Sequence, residues 1–234
     1  MQDKCNRIFL FLAVLVLLLP IGGCRAKAAE VNETQDFLSE LTFLGDSITA
    51  HMQQRSPLSP KQIWATKERY LNLDSRITYA RIVAPDTGNE ETIASVAARL
   101  QPRYLVITLG VDYGVYYYRD KPQTFRLYYE KLISAIEKAS PNTVIVLQSI
   151  FPVAQSSAVI TNEMIAKANA VIANIAEDRG LCFIDQTAVL SDPNGYLRPE
   201  YCYSDDGIHL TAKAYDAILE HLKANETRIK EKQS

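Results

Sequence analysis

The chain is poor in the residues that build metal centres and disulfide frameworks: it holds three histidines and four cysteines among 234 residues. It has no CxxC pair and no His/Cys spacing of the kind that binds zinc, so the sequence offers no metal cluster. Cys5 and Cys24 lie in the N-terminal leader, which leaves Cys182 and Cys202 for the folded part. In an oxidising compartment these two could pair, or they could stay as buried thiols; spacing alone does not choose. A charge excess is also missing. The 25 basic and 27 acidic residues are interspersed, for a formal net charge of −2. Nucleic-acid binding usually requires a basic face, so the charge pattern argues for no nucleic-acid partner. Internal repeats and low-complexity linkers are absent. What remains is 47% apolar and 22% charged residues, enough to bury a core without cross-links.

Nor is there an apolar run long enough for a comfortable membrane span, which takes roughly 20 residues. Residues 8–19 form an apolar stretch of about a dozen, preceded by Lys4 and Arg7 and followed by Pro20, Gly22 and Gly23. A basic start, a short apolar middle and small residues make the layout of a secretory signal. Ile21-Gly22-Gly23-Cys24 resembles a bacterial lipobox, in which the cysteine is lipidated and becomes the new N-terminus. Ala26-Lys27-Ala28 resembles an ordinary small-x-small cleavage site, and an uncleaved anchor is a third reading. The expected organisation is a lipoprotein-type signal peptide over 1–25, a polar tether over 26–38, one folded domain over 39–225 and a charged tail over 226–234. The protein is then expected to be exported and tethered to a membrane through Cys24, ahead of free secretion.

Within the domain, apolar β-branched runs alternate with helical patterns. Residues 41–44, 104–109, 143–147 and 181–184 read as strands, with a weaker one at 77–83. Helical stripes lie at 89–100 (Ile93, Val96, Ala97, Leu100), 122–139 (Tyr128, Leu132, Ile133, Ile136) and 162–177 (Ile165, Ala168, Val171, Ile172, Ile175). A last helix is expected over 211–223. Continuous apolar strands suit a parallel sheet covered on both faces, and strand–helix alternation predicts an α/β fold. Such sheets carry their chemistry just beyond the carboxyl ends of the strands. That points to the residues after positions 44, 109, 147 and 185.

After the first strand comes Gly45-Asp46-Ser47-Ile48-Thr49. A sharp turn from strand into helix exposes the Ser47 hydroxyl at a helix N-terminus, where N–H groups and the helix dipole favour a developing oxyanion. Serine needs a base to become a good nucleophile. Among the histidines, His51 is close along the chain to Ser47, and His221 is expected on the polar side of the last helix. His209 stands in the loop Ser204-Asp205-Asp206-Gly207-Ile208-His209-Leu210, with Asp206 three residues upstream to fix its tautomer. Taken alone, that loop reads more readily as a turn with a surface histidine; the Gly45-Asp46-Ser47-Ile48-Thr49 run reverses that reading.

Phe43-Leu44-Gly45-Asp46-Ser47-Ile48-Thr49 together with Asp206-Gly207-Ile208-His209-Leu210 resembles the SGNH, or GDSL-type, hydrolase family, over roughly residues 41–222. The resemblance implies a flavodoxin-like three-layer α/β/α sandwich with a central parallel sheet. It implies a serine esterase acting on short-chain or acetyl esters, often on carbohydrate, with Ser47 as nucleophile, His209 as base and Asp206 as its orienting acid. No metal or organic cofactor is implied; the expected partners are a small-molecule or carbohydrate ester and the anchoring membrane. The implied oxyanion hole comprises the N–H of Ser47, a glycine N–H and an asparagine side chain.

The middle of the chain departs from the family pattern. Leu109-Gly110-Val111-Asp112 places Asp112 where the oxyanion-binding asparagine is expected. An ionised carboxylate only accepts hydrogen bonds. At about 4 Å it would oppose an oxyanion by roughly 4 kcal/mol at an effective dielectric near 20. Three readings are open: a protonated Asp112 that donates, an Asp112 turned away, or a weak or inactive protein that binds its ligand. The glycine role falls to Gly88, in Ala84-Pro85-Asp86-Thr87-Gly88, and that residue reads equally as a turn glycine. Asp46, Tyr113 and Tyr116 are expected to touch substrate; Tyr117 and Tyr118 complete a tyrosine run suited to sugar rings or to packing.

Overall fold

The structure is a computed structural model that describes residues 37–111 and 113–233. The expected signal peptide, the lipidation site Cys24, most of the tether and Asp112 lie outside the described residues.

Among the described residues seven strands form in chain order: β1 (Leu41–Gly45), β2 (Ile63–Trp64), β3 (Arg81–Val83), β4 (Glu90–Thr92), β5 (Tyr104–Thr108), β6 (Val144–Gln148) and β7 (Cys182–Ile184). Five make one parallel sheet in the order β2-β1-β5-β6-β7. Every residue of β5 and β6 is buried, as continuous apolar strands require when helices cover both faces. With the β3–β4 hairpin set aside, the order becomes 2-1-3-4-5, the flavodoxin-like doubly wound arrangement. The expected three-layer α/β/α fold is borne out.

The α-helices that lie wholly within the described residues are α1 (Ser47–Arg55), α2 (Ile93–Leu100), α3 (Pro122–Ala139), α4 (Asn162–Asp178), α5 (Thr187–Leu190), α6 (Ala212–Ala224) and α7 (Glu226–Lys230). Local chemistry sets their starts. Thr92, Thr161 and Thr211 each accept from the backbone N–H three residues on, capping α2, α4 and α6. Pro122, lacking an N–H, opens α3. The buried stripe of α3 runs through Phe125, Tyr129, Leu132, Ile133 and Ile136, so Tyr129 takes the core position expected of Tyr128, which is half-buried. In α4 the stripe is Ile165, Ala168, Ile172, Ile175 and Ala176, with Val171 at its edge.

Two segments differ from expectation. The weak strand at 77–83 divides into a 3₁₀ turn (Ile77–Tyr79) and β3, which pairs antiparallel with β4. Residues 90–92, expected at the start of a helix, are therefore extended, and the helix begins only after the Thr92 cap. Residues 226–233, expected as a charged tail, are helical: Ile229 is fully buried, while Lys230 reaches back to Glu226 at 2.5 Å. A single apolar residue among charges carries no periodicity to read. Cys182, on β7, and Cys202 are both free thiols, and burial pushes the Cys182 thiol pKa up. Among the described residues no helix is long and apolar enough to cross a membrane.

Candidate active site

In this strand order the chain turns from one side of β1 to the other between β1 and β5, so a crevice opens beyond their carboxyl ends. Gly45 ends β1 directly beside Thr108 of β5. A Cβ on Gly45 would lie 2.1 Å from the Thr108 carbonyl oxygen and 2.2 Å from Thr49 Oγ1. Only glycine lets α1 begin so close to the neighbouring strand, and this closeness places Ser47 at the crevice.

Asp46 sits between them and does not face substrate, contrary to the expectation from sequence. It is 2% exposed, and its Oδ2 accepts from the N–H groups of Gly110 and Val111, both at 2.9 Å. The carboxylate thus ties the loop after β5 to the end of β1 and leaves α1 without a side-chain cap. Ser47 is the first residue of α1 and is half-buried. The Tyr215 hydroxyl on α6 donates to the Ile48 carbonyl at 2.7 Å, fastening this turn of α1 from the other end of the domain.

His209 enters from the loop before α6. Its Nε2 lies 3.2 Å from Ser47 Oγ, and its Nδ1 lies 2.7 Å from Asp206 Oδ2. With Nδ1 donating to the carboxylate, Nε2 carries the lone pair that accepts from the serine hydroxyl. Asp206 Oδ1 takes two more hydrogen bonds, from the backbone N–H of Ile208 at 2.7 Å and of His209 at 3.1 Å. Burial alone would raise the Asp206 pKa. The bonds from His209 and from the backbone outweigh it and hold the carboxyl well below the usual carboxylate range. Between acid and base, Gly207 adopts φ +72°, and a Cβ there would meet Ser156 Oγ and the Ser157 nitrogen at 3.0 Å.

The sequence reasoning missed His51. Its ring centroid is 4.6 Å from that of His209, tilted by 52°. Burial, then the charges of His209, Arg55 and Arg69, lower its pKa from 6.5 to about 4. The available signal was its position one helical turn after Ser47, on the same face. His221 is also not where expected. It is half-buried, with Nδ1 2.9 Å from Gln186 Oε1, at the end of an internal chain through Gln148 to Thr108 Oγ1.

The remaining expected site residues fare differently. Gly88 is exposed at φ +73°, its N–H donates to the Ala84 carbonyl at 2.8 Å, and a Cβ would meet nothing within 4 Å. It is a turn glycine in the β3–β4 connection, and the oxyanion role is withdrawn from it. Tyr113 stacks on Tyr117 at 3.9 Å, Tyr116 packs edge-on to Tyr117, and Arg119 lies 4.5 Å from the Tyr116 ring. Tyr118 is half-buried against Tyr128, and its pKa is pushed up to about 12, first by burial. Among the described residues no group of three or more His, Cys, Asp or Glu is placed to hold a metal ion.

A model of the GDSL-like lipase/acylhydrolase family matches residues 43–217, which include Ser47, Asp206 and His209. The chain belongs to this family. Solved structures agree in fold. A GDSL-like lipase from Bacteroides thetaiotaomicron is 16% identical, with 86% of this chain and 97% of that one covered at a TM-score of 0.51. A carbohydrate esterase of family 3 from Talaromyces cellulolyticus is 15% identical, covering 82% and 98% at 0.51. An acetyl xylan esterase is 14% identical, covering 79% and 98% at 0.51. At such identities the likeness is one of architecture. A search of curated proteins found no match.

Proposed function

We propose that the protein is a serine esterase that removes short acyl groups, acetyl above all, from hydroxylated substrates such as carbohydrates. The observation that carries this reading is the unbroken hydrogen-bonded line from Ser47 Oγ through the His209 ring to the Asp206 carboxylate, at the carboxyl edge of the sheet. His209 Nε2 takes the hydroxyl proton as Ser47 Oγ bonds to the ester carbonyl carbon. The first turn of α1, at the positive end of its dipole, stabilises the tetrahedral oxyanion. The ester C–O bond breaks, and the leaving alcohol takes its proton from the His209 imidazolium. Water then attacks the acyl-enzyme, giving its proton to His209, and the free acid and Ser47 hydroxyl are restored. Asp206, kept ionised, stabilises the imidazolium that forms twice in the cycle.

Support for a carbohydrate alcohol comes from the esterases that share this fold and from the ring surfaces of Tyr116 and Tyr117, 39% and 52% exposed beyond β5. A second reading, a ligand-binding protein with little turnover, is favoured by one residue: Asp112, a carboxylate where the resemblance implies an amide. Hydrolysis of p-nitrophenyl acetate by protein without its leader separates the two. Turnover that disappears in Ser47→Ala supports the esterase. Absence of turnover over a wide range of pH and acyl length favours the binding protein. We also propose that the domain works outside the cytoplasm, tethered by lipid at Cys24. The mass of the mature N-terminus tests this: a diacylated Cys24 supports the anchor, and a chain starting after Ala28 contradicts it.

A further inference from the structure

Ser47, His51 and Arg55 follow one another at four-residue spacing, so they share one face of α1. The nucleophile's own helix therefore presents two more polar side chains toward the loop that carries the base. Arg55 Nη1 donates to the Leu210 carbonyl at 3.2 Å, one residue after His209. Its guanidinium carbon lies 3.4 Å from the centroid of the Tyr203 ring, a stacked contact. Tyr203 in turn donates its backbone N–H to the His209 carbonyl at 2.7 Å, inside the short antiparallel bridge that pairs Cys202 with Leu210. Arg55 Nη1 also approaches His51 Nδ1 at 3.4 Å. A guanidinium can only donate, so His51 Nδ1 is the acceptor and the ring packed against His209 is neutral.

The arrangement answers a mechanical problem. Ser47 and His209 are 162 residues apart, and the base sits on a half-exposed loop. Misplacing a reacting group by about 1 Å can cost a hundredfold in rate. We propose that Arg55 is a positioning residue, which joins the nucleophile helix to the base loop through the Leu210 carbonyl and the Tyr203 ring, with the His51 ring as the packing surface for the His209 imidazole. This explains an otherwise unassigned feature, the 59% exposed Tyr203, as the outer face of the joint. The proposal rests on the serine esterase reading for its kinetic consequence, but not for its geometric one.

The test uses Arg55→Met, which keeps an unbranched apolar stem and removes the donors, with Arg55→Lys as the conservative variant. With p-nitrophenyl acetate, kcat falls about 10- to 100-fold in Arg55→Met, KM stays within twofold, and Arg55→Lys recovers part of the loss. Independently of activity, the low-field proton NMR line of the His209 Nδ1–H bonded to Asp206 broadens in Arg55→Met as the base becomes mobile. If Arg55→Met does not fold, Tyr203→Leu, at an exposed ring, takes its place, with a fall of about 3- to 10-fold. Unchanged kcat together with an unchanged low-field line overturns the proposal. If the wild-type protein hydrolyses no ester, the esterase reading fails, and the NMR comparison alone still decides whether Arg55 holds His209.

Discussion

The two halves of the expected machinery, the nucleophile with its base and the oxyanion donors, are built to different standards. On the base side, side chains from both ends of the chain meet at hydrogen-bonding distance, and each is held again by something else. Asp206 is bonded by two backbone N–H groups, and α1 is fastened by Tyr215. Elsewhere, the one glycine expected to help an oxyanion is absorbed in its own turn, and in the sequence the acid at position 112 stands where the family pattern implies an amide donor. The contrast teaches that proton transfer and charge stabilisation are separable in design. In the proposed esterase a well-held nucleophile–base pair would stand beside an unusual set of oxyanion donors, and the rate would then report the weaker half.

Substitutions can break or sharpen this contrast. The largest effect is expected on the base side: Ser47→Ala lowers kcat for p-nitrophenyl acetate by about 10⁴-fold or more while the protein stays folded, as circular dichroism would verify. Next comes the tie between the end of β1 and the loop after β5. Asp46→Ala leaves the buried N–H groups of Gly110 and Val111 without their acceptor, at about 1–3 kcal/mol each. Urea unfolding should show a total loss of about 2–6 kcal/mol. Among the expected oxyanion donors, Asp112→Asn exchanges an acceptor for a donor, and kcat/KM is expected to rise about tenfold. The smallest effect is at Gly88→Ala. The positive φ costs about 1 kcal/mol in stability, and kcat/KM stays within about twofold because no reacting atom depends on that N–H.

Much of the fold was legible because its strands are fully buried. Residues 104–109 and 143–147 are continuous apolar runs, and the structure puts β5 and β6 there within one residue at each end. The range 122–139 was readable at both ends from Pro122 and the stripe that follows. β2 was not readable, since two residues, Ile63 and Trp64, show no period. The β3–β4 hairpin was hidden because β4 is Glu90-Glu91-Thr92, with no apolar alternation, and because its edge position tolerates charge. At the site, the residue types of Ser47, His209 and Asp206 announced themselves through the chemistry they share. Asp46 did not, because an acid next to a nucleophile looks like a ligand contact, and only burial reveals that it serves the backbone. Arg55 was not singled out, and His51 was set aside as too close along the chain to Ser47, for another reason. They touch the base across tertiary contacts, and the helical spacing that places them beside Ser47 has meaning only once His209 is known to stand there.

The most direct measurement is labelling with a fluorophosphonate serine-hydrolase probe, followed by mapping of the modified residue. The account predicts a single phosphonylated side chain at Ser47, with labelling lost in Ser47→Ala and slowed at least a hundredfold in His209→Ala. A label on a different residue, or ester hydrolysis that survives in Ser47→Ala, would contradict it.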